Sequence, residues 1–153
     1  MTAQTDQPKL IVPGLAGLYA SLHDFAYPMV RITAGLMLLP HGWPKLVKFG
    51  AAGVAANVLA KRGIEPALPL AYLIIFLETV GGLCIAVGLF TRAFALLLFL
   101  EFLVIVFVAH LPKGWSVGVG GAEFVVMWTV LFLAILIRGG GPYSVDRMLG
   151  KEL

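Results

Sequence analysis

Four apolar stretches, roughly Phe25–Phe49, Ala67–Phe90, Ala93–Ala109 and Val117–Ile137, take up most of this chain, and each carries ionisable residues inside it or at its ends. A hydrocarbon core about 30 Å thick takes about 20 helical residues per crossing. In lipid, backbone polar groups must be satisfied within the protein, so such stretches fold as helices. The ionisable residues are Arg31, His41 and Lys45 in the first stretch, Glu78 in the second, Glu101 and His110 in the third, and Glu123 in the fourth. A charge facing hydrocarbon costs several kcal/mol, so these side chains are expected to turn inward and pair. The expected fold is all-α: an integral membrane bundle of four transmembrane helices with a short interfacial N-terminal helix.

Composition agrees with that class. Over 153 residues, 60% are hydrophobic and 12% charged, and the mean hydropathy is +0.97, outside the range of soluble domains. The formal net charge of +3 is scattered over loops, which excludes a clustered nucleic-acid surface. One cysteine, Cys84, is too few for an internal disulfide, a structural zinc site or an iron–sulfur cluster. Met1–Lys9 is polar, which does not fit a cleaved secretory signal.

Three parts follow along the chain. Residues 1–24 read as a tail and an interfacial helix, with Leu15, Leu18, Tyr19 and Leu22 at helical spacing. Residues 25–138 read as the four-helix membrane domain. Residues 139–153 read as a C-terminal tail, entered through Gly139-Gly140-Gly141-Pro142, which stops the last helix. Pro40 and Pro44 flank His41-Gly42-Trp43 and predict a kinked helix end. Gly50–Gly63 predicts a short surface helix, and the brief connection Phe90-Thr91-Arg92 predicts that the second and third helices are antiparallel neighbours. Four crossings put both termini on one side. Five basic residues lie there (Lys9, Arg92, Arg138, Arg147, Lys151) against four on the other (Lys48, Lys61, Arg62, Lys113), which favours cytoplasmic termini.

The steps from Arg31 to Gly35, Leu38, Gly42 and Lys45 place both cations and both glycines on one helix face. By depth, two polar layers are expected. The inner one pairs Arg31 with Glu101 or Glu78. The outer one gathers His41, Lys45, His110 and Glu123. Two roles fit such a set: ion pairs that fix helix register, or a low-dielectric site that moves protons or holds a polar headgroup such as a quinone. His41 and His110 form the one histidine pair at matching depth for a haem. No close-spaced ligand pair such as Glu-x-x-His occurs, so no metal site is expected. His110 follows Glu101 by nine residues, which sets them on opposite sides of an unbroken α-helix. Arg92 is expected to meet lipid headgroups. Trp43, Trp115 and Trp128 are expected to anchor at the membrane interface.

The run from Arg31 and Gly35 through His41-Gly42-Trp43-Pro44-Lys45-Leu46 resembles the opening signature of the DoxX family of small four-helix bacterial membrane proteins. Glu78 with Gly81-Gly82, Gly88-Leu89-Phe90-Thr91-Arg92, His110, Gly121-Ala122-Glu123 and Gly141-Pro142-Tyr143-Ser144-Val145-Asp146 match its pattern in order. Glu101 has no counterpart in that pattern, and the N-terminal segment is longer. The resemblance implies a multi-pass protein of the bacterial inner membrane, surrounded by the lipid bilayer, that serves as a subunit or accessory factor of a quinone-linked oxidoreductase complex. It would associate there with other protein subunits and take quinone as the possible cofactor. Two alternatives come with it: a quinone-binding oxidoreductase subunit in its own right, and a non-catalytic assembly or transport factor.

Overall fold

The computed structural model describes residues 9–152, so the polar tail expected over Met1–Lys9 lies, but for Lys9, outside the described residues. After a 3₁₀ turn at Pro13–Leu15, helix α1 (Ala16–Pro44) runs unbroken. The amphipathic segment expected before residue 25 therefore continues directly into the first long apolar stretch, with no hinge between them. Pro28, Pro40 and Pro44 lie inside this helix and withhold their backbone donors. Directly after Pro44 the coil widens into a π turn, Lys45–Phe49.

The expected surface helix is present as α2 (Gly50–Val54), a π turn Ala55–Leu59 and a 3₁₀ turn Ala60–Arg62. It is docked rather than free. Val54, Ala55 and Leu59 pack on Ala67, Ala71 and Ile75. The second long helix comprises α3 (Ala67–Phe76), a π turn Leu77–Gly81 and α4 (Gly82–Val87). The third comprises α5 (Thr91–Val104), a π turn Ile105–His110 and a 3₁₀ turn Leu111–Lys113. The fourth is α6 (Glu123–Arg138), followed by the short α7 (Val145–Leu149). No strand occurs among the described residues.

Two of these helices, Ala67–Val87 and Thr91–Lys113, are long and apolar enough on their own to cross a membrane. The first long helix carries Arg31 and Lys45. The fourth has 16 residues, about 24 Å of rise.

The helices pack as two pairs. α1 lies along α4 and its preceding π turn, and α5 lies along α6. In the first pair the backbones touch: a Cβ on Gly42 would sit 2.8 Å from the Glu78 carbonyl carbon, and one on Gly35 would strike the Gly82 backbone. In the second pair, stacked Phe102, Trp128 and Phe132 fill the interface. Trp128 is buried, which corrects its expected place at the membrane interface: its ring faces α5 from mid-helix. A core through Leu38, Ile85, Leu98 and Phe132 joins the pairs.

The pairs are close at one end and apart at the other. α5 approaches α4 and the Leu77–Gly81 turn, whereas α3 is occupied by α1 and the docked loop helix. A wedge of space is left between α3, the loop helix and the far half of the third long helix.

Candidate functional site

At the tight end, Gly88 ends α4 in a left-handed conformation with φ 75°, and a side chain there would collide with Arg31 and Ser144. Helix termination frees the last carbonyls of α4. Arg31, fully buried, donates from Nη1 to the carbonyls of Ile85 (2.5 Å) and Ala86 (2.7 Å), and from Nη2 to that of Tyr143 (3.1 Å). Its expected pairing with Glu101 or Glu78 is thereby corrected. The two terminal nitrogens of the guanidinium suit a fan of carbonyls at a helix C-terminus, where the dipole also favours a cation, while Nε is buried without a partner.

Asp146 completes this end. Its carboxylate accepts from Phe90 N (2.7 Å), Thr91 N (2.9 Å) and Thr91 Oγ1 (2.6 Å), capping the first turn of α5. Arg92 donates to the carbonyls of Leu136 and Ile137 and pairs with Glu152 at 3.6 Å. Its expected lipid partners are corrected to the C-terminal carbonyls of α6 and the tail. Asp146 and Thr91 are functional to the fold yet lie 55 residues apart, so no local spacing links them. Tyr27, which donates to the Gly139 carbonyl and lies under Arg138, is missed for the same reason.

The wedge at the other end is a cavity of about 480 Å³, within the roughly 300–1,000 Å³ typical of small-molecule sites. Val58 and Leu59 of the loop helix, Leu73 and Leu77 of the second long helix, and Leu97, Leu100, Val104 and Val108 of the third give it apolar walls. Its polar wall groups are Lys45, Glu101, His110 and Arg62. Lys45 Nζ binds both oxygens of Glu78, at 2.5 and 2.6 Å, with the Glu78 side chain 4% and the Lys45 side chain 27% exposed. Both carboxyl oxygens of Glu101 are buried without a hydrogen-bond partner. His110 Nδ1 meets the Gly120 carbonyl at 2.8 Å.

Three polar residues of this region lie in departures from α geometry, while Glu101 lies within α5. Lys45 opens one π turn, Glu78 sits in a second and His110 closes a third. The π turn over Ile105–His110 has more residues per turn than an α-helix, so it carries His110 back around the axis, and Glu101 and His110 line the same cavity. That corrects their expected placement on opposite sides. The fourth π turn, Ala55–Leu59, supplies Val58 and Leu59 to the same walls. Single π turns within α-helices occur often at functional sites.

Two expected members of the polar layer are elsewhere. His41 is exposed and outside the cavity lining, because Gly42 and not its neighbour faces the second long helix. It therefore does not meet His110 as a haem pair would. Glu123 is exposed at the start of α6, where Oε2 accepts from Val117 N at 3.1 Å and ties down the preceding loop. Trp43 and Trp115 are each 60% exposed. No cluster of metal-binding side chains occurs among the described residues.

The helices, the buried ion pair and the apolar cavity define a helical membrane protein with an internal polar site. The DoxX family model matches residues 26–111, and the chain belongs to that family. It is 31% identical over 133 residues, covering 86% of this chain and 97% of the relative, to the inner membrane protein YqjF of Escherichia coli. It is 29% identical over 127 residues, covering 80% of this chain and 90% of the relative, to an uncharacterised protein of Haemophilus influenzae. No solved structure matches.

Proposed function

We propose that the chain is an integral subunit or accessory factor of a quinone-linked redox complex in the bacterial inner membrane, holding quinone in the cavity beside Lys45 while electron transfer centres belong to partner chains. The observation that carries this reading is the coexistence of a wide apolar cavity with a buried Lys45–Glu78 pair and an unpaired Glu101 carboxyl. An apolar body with a small polar head needs that combination.

Residues 25–138 form the membrane domain in this reading, crossing four times, with residues 1–24 and 139–153 on the cytoplasmic side. Lys45, Glu78, Glu101 and His110 form the headgroup site. Arg31 and Arg92 hold the bundle closed at the opposite end, and Trp43 and Trp115 meet the interface.

Gentle detergent purification followed by identification of every co-eluting chain and quinone tests the proposal. Co-purification with a redox enzyme is expected, together with loss of quinone-linked turnover in Glu78→Gln and His110→Ala. Unchanged turnover in both variants, or a deletion that lowers the amount of a partner while leaving its specific activity normal, overturns it. The latter result identifies an assembly factor.

A further inference from the structure

The Glu101 carboxyl is the one side chain in the cavity wall whose hydrogen-bonding capacity is wholly unused: Oε1 and Oε2 are both buried and both without partners. Its neighbours do not supply the lack. Lys45 is engaged by both oxygens of Glu78, His110 by the Gly120 carbonyl and Arg62 by the Val58 carbonyl. A buried polar group left unsatisfied is destabilising. The two oxygens mark the place where a ligand's head would be held.

The route to that place crosses apolar side chains. Leu97, Leu100, Val104 and Val108 line the cavity and are each more than a third exposed, so the cavity is open along this helix, and in a membrane an opening between two helices faces lipid. A molecule entering by this route brings its head through hydrocarbon, where a charge is far more costly than a neutral hydroxyl. A carboxylate or phosphate head would also have to give up its hydration between apolar walls.

We infer that the cavity between the second and third long helices takes, from the bilayer, a long-chain amphiphile with a neutral hydroxyl head, an alcohol or a phenol, bound through its O–H to Glu101. The inference rests on reading the cavity as a ligand site. It assigns the head-binding role to a residue outside the motif that identified the family, and it sets the specificity: hydroxyl heads are accepted and acid heads rejected. A reduced quinone is one phenol of this kind, and a long-chain aliphatic alcohol shares its head chemistry.

The test uses the full-length protein in lipid nanodiscs and two photoreactive labels of equal chain length bearing a diazirine, one ending in a hydroxyl and one in a carboxyl group. The alcohol is expected to crosslink to peptides within 97–109, with at least about tenfold preference over the acid, whose charged head loses more hydration on entering. Competition by a short-tailed quinol and by a plain fatty alcohol then separates the two sources of the head. Displacement by the quinol alone marks a phenol site, and displacement by both marks a general hydroxyl site. Glu101→Leu is expected to reduce labelling about tenfold, while Glu101→Gln, which keeps an acceptor, stays within about threefold. Val104→Trp, which fills the opening and leaves Glu101 intact, should abolish labelling.

Equal labelling by alcohol and acid, or crosslinks outside the cavity, overturns the inference. So does undiminished labelling in Glu101→Leu. Should that variant fail to fold, the alcohol-to-acid ratio in the unaltered protein and the Val104→Trp result decide. Absent labelling with a redox partner still co-purifying sinks this inference and spares the proposed function. Specific alcohol labelling without any redox partner does the reverse.

Discussion

At the scale of single residues, the cations in the bundle do different work although they share one face of the first helix. Arg31 supplies donors to three carbonyls around a helix end. Replacing it with Met leaves buried acceptors empty, at about 1–3 kcal/mol each, so a large fall in thermal stability in detergent is expected. Arg31→Lys should recover only part of it, because a point ammonium cannot span the fan that a planar guanidinium reaches. Lys45 has a carboxylate partner. Glu78→Leu strands a half-buried ammonium and should cost about 3–5 kcal/mol, whereas Lys45→Met with Glu78→Leu should regain most of that stability. A double-mutant cycle on unfolding free energies measures the difference, and additive losses would show that the pair is not coupled. The depth of these cations along the helix was legible in sequence. Their partners were not, since those lie on chain segments 33 to 112 residues away.

At the scale of elements, the close approach of α1 to the second long helix depends on Gly35 and Gly42, where a Cβ would meet backbone rather than a movable side chain. Gly42→Ala should therefore destabilise by about 1–3 kcal/mol and disturb the adjacent Lys45–Glu78 pair. The tail acts as a latch. Asp146→Ala removes three hydrogen bonds from the Phe90–Thr91 turn and should expose residues 139–152 to limited proteolysis, with a stability loss of about 1–2 kcal/mol. A tail that stays protease-resistant would assign the latch to Arg92–Glu152 instead. Helix positions were readable from apolar length and from the breaks at Gly50–Gly63 and Gly139–Pro142. The π turns were not. Their positions depend on how neighbouring helices compete for the same backbone, and they shift register enough to bring His110 beside Glu101.

At the scale of the whole molecule, one end is closed by Arg31, Arg92 and Asp146, and the other opens into a cavity where α3 and α5 separate. This asymmetry follows from the connections. The second and third long helices are held together by a tight turn at the closed end, while at the far end the loop helix wedges against α3. In the proposed arrangement of four crossings with cytoplasmic termini, fluorescent-protein fusions at either terminus should both mature in the cytoplasm. A fusion that is dark at one terminus and bright at the other would require an odd number of crossings.

Apolar length and embedded charge were enough to assign this chain to its class. Long apolar runs admit only helices in lipid, and sparse charges within them must find partners inside the protein. The six ordered motifs from Arg31 to Asp146 then singled out the family. Which polar groups meet is settled by packing across the fold: Arg31 serves a helix end, Lys45 serves Glu78, His41 and Glu123 stand outside, and Glu101 lines the apolar cavity. The physical reason is geometric. Burial of a charge requires a partner but does not name one, and within a bundle the choice depends on differences of an ångström or two in helix approach that glycines, prolines and π turns set jointly across the fold.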